Sequence, residues 1–344
     1  MSPCNGILYF LLATTLLATA PGCSSDKNQE AQSPAGTEAT PPPNTAIADL
    51  SRQIEQGEGN KSGLYAARGY LWYENENFDE AIADIEKAIE LDSSKVEYFH
   101  TLADIYLDYY KSRKALYTME KAASLFPKRI PTLLKLAEFQ LILKQHQPAL
   151  LTLERIRSLE PLNPEMFFMF GNVFFDMGRK DEAMNAYQSA VEQDPDLIDA
   201  WIKLGTLLAD KGSPQAEKYF DNALRVDSNS IDALHAKAYF LSNKKDDLNG
   251  AIRLYRKING INPQYVDGYY NMGLIFLDMD SLQQAYQSFD LAIKFDPSLA
   301  GAYYHRGLAA EKMGNKEQAR SDYKNTLSLD GGFEAAKAAL RNIK

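Results

Sequence analysis

Eight alanines recur along this chain at an almost fixed interval. Ala81, Ala115, Ala149, Ala183, Ala216, Ala251, Ala285 and Ala319 follow one another at 34, 34, 34, 33, 35, 34 and 34 residues, which means an array of stacked, similar units. Four residues after each stands a large side chain: Ile85, Met119, Leu153, Tyr187, Phe220, Tyr255, Phe289 and Tyr323. About twelve residues before each stands a small one: Gly69, Ala103, Ala137, Gly171, Gly205, Ala238, Gly273 and Gly307. Four residues before that comes another large one: Tyr65, Phe99, Leu133, Phe167, Trp201, Leu234, Tyr269 and Tyr303. Large residues three, four and seven apart make the apolar stripes of two short amphipathic helices, and the small residues mark where those helices cross closely. Proline usage agrees. Pro127, Pro161, Pro195, Pro263 and Pro297 fall where second helices end, and Pro131, Pro148, Pro164 and Pro214 in first turns, where a missing N–H costs nothing.

These residues resemble the tetratricopeptide repeat, whose pattern is W-x2-L-G-x2-Y, then A-x3-F, then A and P. The resemblance runs over residues 62–333 and implies an all-α fold, a right-handed superhelical solenoid of helix-turn-helix repeats. The repeats would be 62–95, 96–129, 130–163, 164–197, 198–230, 231–265, 266–299 and 300–333. A solenoid must cover both open ends. Residues 44–61, with Ile47, Leu50 and Ile54 at helical spacing, read as a capping half-repeat, and residues 334–344 as a C-terminal solvating helix whose basic last turn suits the helix dipole. Arg68, Lys237 and Arg306 stand where the family has an apolar residue, and Gln140 and Ala310 where it has an aromatic one. These positions are expected at the edge of the buried stripe, where a long stem packs and its head reaches water. The 33- and 35-residue intervals place a deletion in GSPQ and an insertion in KKDDLNG, both in turns within a repeat.

The N-terminal end reads differently. No charged residue precedes Asp26, and Ile7 to Ala20 is a mostly apolar run of fourteen residues. That is too short to span about 30 Å of hydrocarbon and has the length of a signal-peptide apolar region. Two cleavage sites compete. Ala18-Thr19-Ala20 suits ordinary signal peptidase and would give a plain secreted or periplasmic protein. Ala20-Pro21-Gly22-Cys23 resembles the lipobox of bacterial lipoproteins, although Ala20 replaces the usual Leu and no basic residue precedes the apolar run. The first cut would leave Pro21 beside the bond to be cleaved, a poor fit for its ring, so the lipobox is favoured over that cut and over an uncleaved anchor. Residues 1–22 are then the signal peptide, and Cys23 carries acyl chains such as palmitate, each worth about 0.8 kcal/mol per buried methylene. Residues 23–43 form a tether: Ser24 to Pro43 holds nothing aliphatic larger than Ala and no aromatic ring. In the lipoprotein family, Ser24 after the cysteine implies the outer membrane of a Gram-negative cell envelope, with the body facing the periplasm.

Composition narrows the function. The 46 acidic and 37 basic residues leave a net charge of −9, which argues against nucleic acid as partner, since phosphate contacts need a basic footprint. Cys4 and Cys23 are the two cysteines, so the repeat body has neither a disulfide scaffold nor a cysteine-ligated zinc site. No nucleotide, hydrolase, metalloprotease or calcium-loop motif occurs in the repeats. The histidines His100, His146, His235 and His305 fall in four different repeats. The carboxylates Asp246, Asp247, Asp278 and Asp280 fall in turns, where solvation suits them. The chain is therefore expected to be no enzyme and to hold no cofactor or metal.

Function is sought on the groove. In the family, positions 2, 5, 6, 9, 12 and 13 of each first helix point into the concavity. Here those positions carry the aromatic residues Tyr70, Tyr73, Phe168, Phe175, Tyr239, Tyr270 and Tyr304. Phe168 and Phe175, seven apart, share a helical face, while Phe167, Phe170 and Phe174 supply the core stripe. With Asn172 between them they form a candidate partner site: rings as anchors, an amide for backbone hydrogen bonds. The alternative is that these rings pack against the neighbouring repeat. Acidic residues recur in the same groove: Glu97, Asp104, Asp108, Glu138, Glu165, Asp176, Asp199, Asp232 and Asp267. Position 5 holds Ala66, His100, Leu134, Phe168, Ile202, His235, Tyr270 and Tyr304, so the Lys and Asn clamp that binds C-terminal carboxylates in some chaperone cofactors is absent. The expected partner is a protein segment with aromatic or apolar anchors and net positive charge, the chain acting as a scaffold in envelope assembly, secretion or pilus biogenesis. A glycan or small-molecule binding role is the alternative.

Overall fold

The computed structural model describes residues 43–57 and 59–343. Cys23, the signal segment and nearly all of the tether lie outside the described residues. The first described helix is α1 (Pro43–Gln56). Eight pairs follow: α2 (Lys61–Glu74) with α3 (Phe78–Leu91), α4 (Val96–Asp108) with α5 (Ser112–Leu125), α6 (Ile130–Ile142) with α7 (His146–Leu159), α8 (Pro164–Asp176) with α9 (Lys180–Gln193), α10 (Ile198–Asp210) with α11 (Ala216–Val226), α12 (Ile231–Lys244) with α13 (Leu248–Ile261), α14 (Val266–Asp278) with α15 (Leu282–Phe295), and α16 (Ala300–Lys312) with α17 (Lys316–Leu329). The last is α18 (Glu334–Asn342). Among the described residues there is no strand, and the fold is an all-α helical-repeat solenoid.

The chain reverses twice per unit, by two different devices. Within a pair, the first helix ends in a Schellman-type turn: the Lys111 N–H donates to the Tyr106 carbonyl at 2.7 Å and the Tyr110 N–H to that of Leu107 at 3.0 Å, a pattern repeated at Gln145 and Lys144. The geometry needs a left-handed residue, met by Gly178, Gly212 and Gly314 without strain but also by Glu76, Tyr110, Lys144, Asp246 and Asp280. Between pairs, Asp or Asn accepts the N–H two residues on, as Asp194 does from Asp196 at 2.9 Å and Asn262 from Gln264 at 3.0 Å. The 33-residue interval appears as a shortened α11 of 11 residues, and the 35-residue one as an α12 of 14 residues.

All eight periodic alanines are fully buried. The small residue of each first helix lies under the large residue of its own second helix: a Cβ on Gly171 would stand 2.4 Å from the Tyr187 ring, and one on Gly205 2.7 Å from that of Phe220. The core is therefore a relay of clusters handed from pair to pair, Phe167 and Phe174 belonging to two of them at once. First helices of neighbouring pairs, such as α6 and α8 or α10 and α12, also touch directly, and more closely than neighbouring second helices do. The array curves toward the first-helix side.

The substituted stripe positions behave differently from expectation. Arg68 and Arg306 do not carry their heads to water: each forks onto a buried carboxylate of the facing second helix, Arg68 onto Asp84 at 2.7 Å twice, Arg306 onto Asp322 at 2.6 and 3.1 Å. Lys237 reaches Asp221 at 2.5 Å. The reason is a partner sixteen residues away on another helix, which the periodicity of one helix does not reveal. Gln140 is likewise buried rather than at an edge, its Oε1 accepting the Thr152 hydroxyl at 2.8 Å.

Candidate functional site on the first-helix face

The candidate groove residues divide into two groups. Tyr70, Phe175 and Tyr239 project into solvent, at 51%, 43% and 40% exposure. Tyr73, Phe168, Asn172, Tyr270 and Tyr304 are half-buried. Tyr73 lies 6.2 Å from Phe78 and donates its hydroxyl to Asp108 on the next first helix; burial, then the Asp108 hydrogen bond, raises the phenol's pKa. Phe168 packs 5.6 Å from Tyr187, whose hydroxyl donates to Asn172 Oδ1 at 2.8 Å. The amide expected to serve a partner's backbone thus has its acceptor engaged, while its nitrogen makes a long contact of 3.8 Å to Met169 Sδ. Tyr270 sits 5.8 Å from Phe289 and burial pushes its phenol up to about 12. Tyr304 packs edge-on or tilted against His305, Tyr323 and Phe333.

Three histidines stitch neighbouring first helices together. His100 Nε2 is 3.1 Å from the Thr132 hydroxyl, His235 Nδ1 2.7 Å from the Tyr265 hydroxyl, and His305 Nδ1 3.2 Å from that of Tyr270. His305 Nδ1 also lies 2.8 Å from the Gly301 carbonyl, which it meets as an N–H donor. Burial lowers the pKa of all three, because a charged imidazole would lose its water there. Among the described residues no group of three or more His, Cys, Asp or Glu is placed to hold a metal ion.

Several first helices on this face open with an acidic residue. Glu165, Asp199, Asp232 and Asp267 open the first turns of α8, α10, α12 and α14, exposed and without a basic side chain at ion-pair distance among the described residues. Helix dipoles favour them there. Others are neutralised locally: Glu97 by Arg129 at 3.3 Å, Asp104 by Lys135 at 2.8 Å. Asp176 accepts hydrogen bonds from Lys144 and then His146, which hold its carboxyl below the usual range. Sequence reasoning missed three apolar residues at the turn edge of this face, Tyr110, Ile142 and Met177, all exposed. Tyr110, 93% exposed at φ +56°, has the least burial and the most strained backbone of the three. Their signal was a large apolar residue just past the stripe, where a turn normally holds polar groups.

Residues 62–95, 266–299 and 300–333 each match the family described as tetratricopeptide repeat, and residues 171–212 match TPR repeat. The chain is a tetratricopeptide repeat protein. It is similar to BBSome complex member BBS4 of Bos taurus, at 23% identity over 198 residues, covering 48% of this chain and 38% of that protein. The chain therefore spans well under half of this relative. Among solved structures it superimposes on a tetratricopeptide repeat protein from Parabacteroides merdae with a TM-score of 0.51, at 19% identity, covering 72% of this chain and 97% of that one. It also superimposes on a chain of the APC/C hetero-tetramer Cut9-Hcn1 with a TM-score of 0.54, at 16% identity, covering 87% and 59%. These two likenesses speak to the fold. Tetratricopeptide repeats serve as protein–protein interaction scaffolds and bind partner peptides or proteins.

Proposed function

We propose that this tetratricopeptide repeat protein is a non-enzymatic adaptor that holds a basic partner segment with apolar anchors on its first-helix face, tethered to the bacterial envelope through Cys23. The observation that carries the groove reading is the combination of Tyr70, Phe175 and Tyr239 standing exposed on the face that also presents the unpaired row Glu165, Asp199, Asp232 and Asp267. Exposed rings give a partner anchors of low entropic cost, and the carboxylates select cationic segments and speed their approach. Lipidation of Cys23 and an outer-membrane, periplasm-facing position follow from the lipobox-like Ala20-Pro21-Gly22-Cys23 and from Ser24. Envelope assembly, secretion or pilus biogenesis are the settings such a scaffold would serve.

The test is recovery of crosslinked partners from envelopes with wild-type protein and with Phe168→Ala/Phe175→Ala. Loss of the partner with helical content intact supports the groove; undiminished recovery sinks it. The anchor is read separately. Cys23→Ala should leave the membrane fraction, and a variant that stays there, with no lipid on the wild type, removes the anchor from the account.

A further inference from the structure

We infer that the outer face of the second and third repeats is a second docking site, for an acidic amphipathic helix of a partner protein. Between α5 and α7, over the floor supplied by α6, lies an open cleft of about 560 Å³. Its apolar lining comes from Ala123, Pro127, Leu136, Pro148 and Leu151. Leu151 is exposed, and so is Tyr117, one turn before Glu120 on the cleft-facing side of α5. Two roughly parallel walls and an apolar floor are what a third helix needs in order to lay its apolar stripe down.

A second observation lies on the floor. Most of the other repeats fill this position with a bulky apolar residue: Trp72, Tyr106, Phe174, Leu208, Leu241 and Phe276. The third repeat places Gln140 there, 5% exposed. Its oxygen is taken by the Thr152 hydroxyl at 2.8 Å, and among the described residues its amide nitrogen has no acceptor. That nitrogen keeps solvent contact at the cleft, so it is open to an acceptor from a partner. Replacing a ring by this amide both makes room in the cleft and leaves a donor at its floor.

Charge says what kind of helix fits. Arg113, Lys114 and Lys121 on α5 and Arg155 on α7 have no carboxylate at ion-pair distance among the described residues; Arg155 lines the cleft and reaches the Pro127 carbonyl at 3.5 Å, while Lys114 and Lys121 flank it over the Tyr106 and Phe99 rings of α4. Among the described residues Glu120 is the one acidic residue lining the cleft. The flanking second helices α3 and α9 are acidic in their first turns. This surface is therefore opposite in sign to the first-helix groove and selects the opposite partner.

The experiment displays a library of 14-residue helical peptides with Leu, Ile or Phe on one stripe and Glu or Lys, equally encoded, at every polar position. It is panned on the intact repeat protein and on three variants. The expected enrichment is for Glu-rich members, with a loss of at least tenfold on Leu151→Asp and on Gln140→Phe, and none on Phe175→Ala. Gln140→Phe restores the bulky apolar side chain that most other repeats carry but takes the acceptor from the Thr152 hydroxyl, so circular dichroism checks its fold beside the loss of the peptide. Leu151→Asp, on an exposed surface, checks the same cleft without touching the core. Enrichment for Lys, no enrichment over an uncoated surface, or retention by Leu151→Asp overturns the inference. Loss on Phe175→Ala alone assigns the binding to the first-helix groove instead.

Discussion

Replacing Arg306 by Met should strand a buried carboxylate. Asp322 has 0% exposure and accepts hydrogen bonds from Arg306 Nε at 3.1 Å, Arg306 Nη2 at 2.6 Å and Gln318 Nε2 at 3.1 Å. Arg306 itself is only 12% exposed at its side chain, with Nη1 on Asp290 at 2.5 Å and the guanidinium 5.5 Å from both the Tyr286 and Tyr303 rings. Methionine keeps the stem between those rings and removes the fork. Removing one partner of a buried pair costs about 3–5 kcal/mol, because the remaining charge is left desolvated, whereas replacing both by apolar groups is roughly neutral. Arg306→Met should then lose about 3 kcal/mol or more, and Arg306→Met/Asp322→Leu should recover most of it, a coupling of about 2 kcal/mol or more. Urea unfolding at pH 7 followed by circular dichroism gives the numbers. Amide exchange should show the loss concentrated in α16 to α18, since each repeat contacts only its neighbours. A single substitution costing under about 1 kcal/mol, or a double variant as unstable as the single, would refute the reasoning.

Three further outcomes follow. Gly171→Ala would drive a methyl into the Tyr187 ring; overpacking of about 1–3 kcal/mol outweighs the helix-propensity gain of about 1 kcal/mol, and adding Tyr187→Leu, the residue type that Ala137 already faces at Leu153, should restore the midpoint. Tyr110→Gly relieves a left-handed backbone on an almost fully exposed residue and should raise stability by about 0.5–1 kcal/mol, after the extra freedom glycine gives the unfolded chain is deducted. The third concerns pH. Burial depresses the folded-state pKa of His100, His235 and His305 below the ordinary 6.5. As pH falls, the unfolded chain takes up these protons first, so the stability held above about pH 6.5 is lost progressively below it. Urea midpoints should be flat from pH 8 to 7 and fall between 6.5 and 5, with His305→Phe flattening part of that fall.

The helix pairs were legible because a 34-residue period constrains every layer at once: Ala81 and its seven counterparts, the large residue four later, and the small residue about twelve before occupy one packing site in each unit. The site was legible only in part. Helical spacing correctly set Phe175, Tyr70 and Tyr239 apart from the core stripe, but it says nothing of contacts between helices. Asn172 therefore looked free when Tyr187, fifteen residues on, occupies its oxygen. Arg306 looked like a surface head when Asp290 and Asp322, sixteen residues to either side, hold it down. Tyr110 carried no more than the signal of a large apolar residue in a turn: a turn residue contributes to no periodic stripe, and its strain exists only in the backbone. The Asp-Pro and Asn-Pro steps at Asp194, Asn262 and Asp296 did carry a local signal, that of an Asx turn, beyond the helix boundary read from proline.

The central claim is that the first-helix face holds a partner segment that is basic and apolar. Its most direct test is a photo-crosslinking residue placed at Phe175 and, in a separate protein, at Leu329, an exposed apolar position on the last second helix. Envelopes are irradiated and the adducts sequenced by mass spectrometry. The account predicts a discrete adduct at position 175, absent at 329, whose crosslinked peptide carries more Lys and Arg than Asp and Glu beside an apolar or aromatic residue. Equal adducts at both positions, or an acidic peptide at 175, would contradict it.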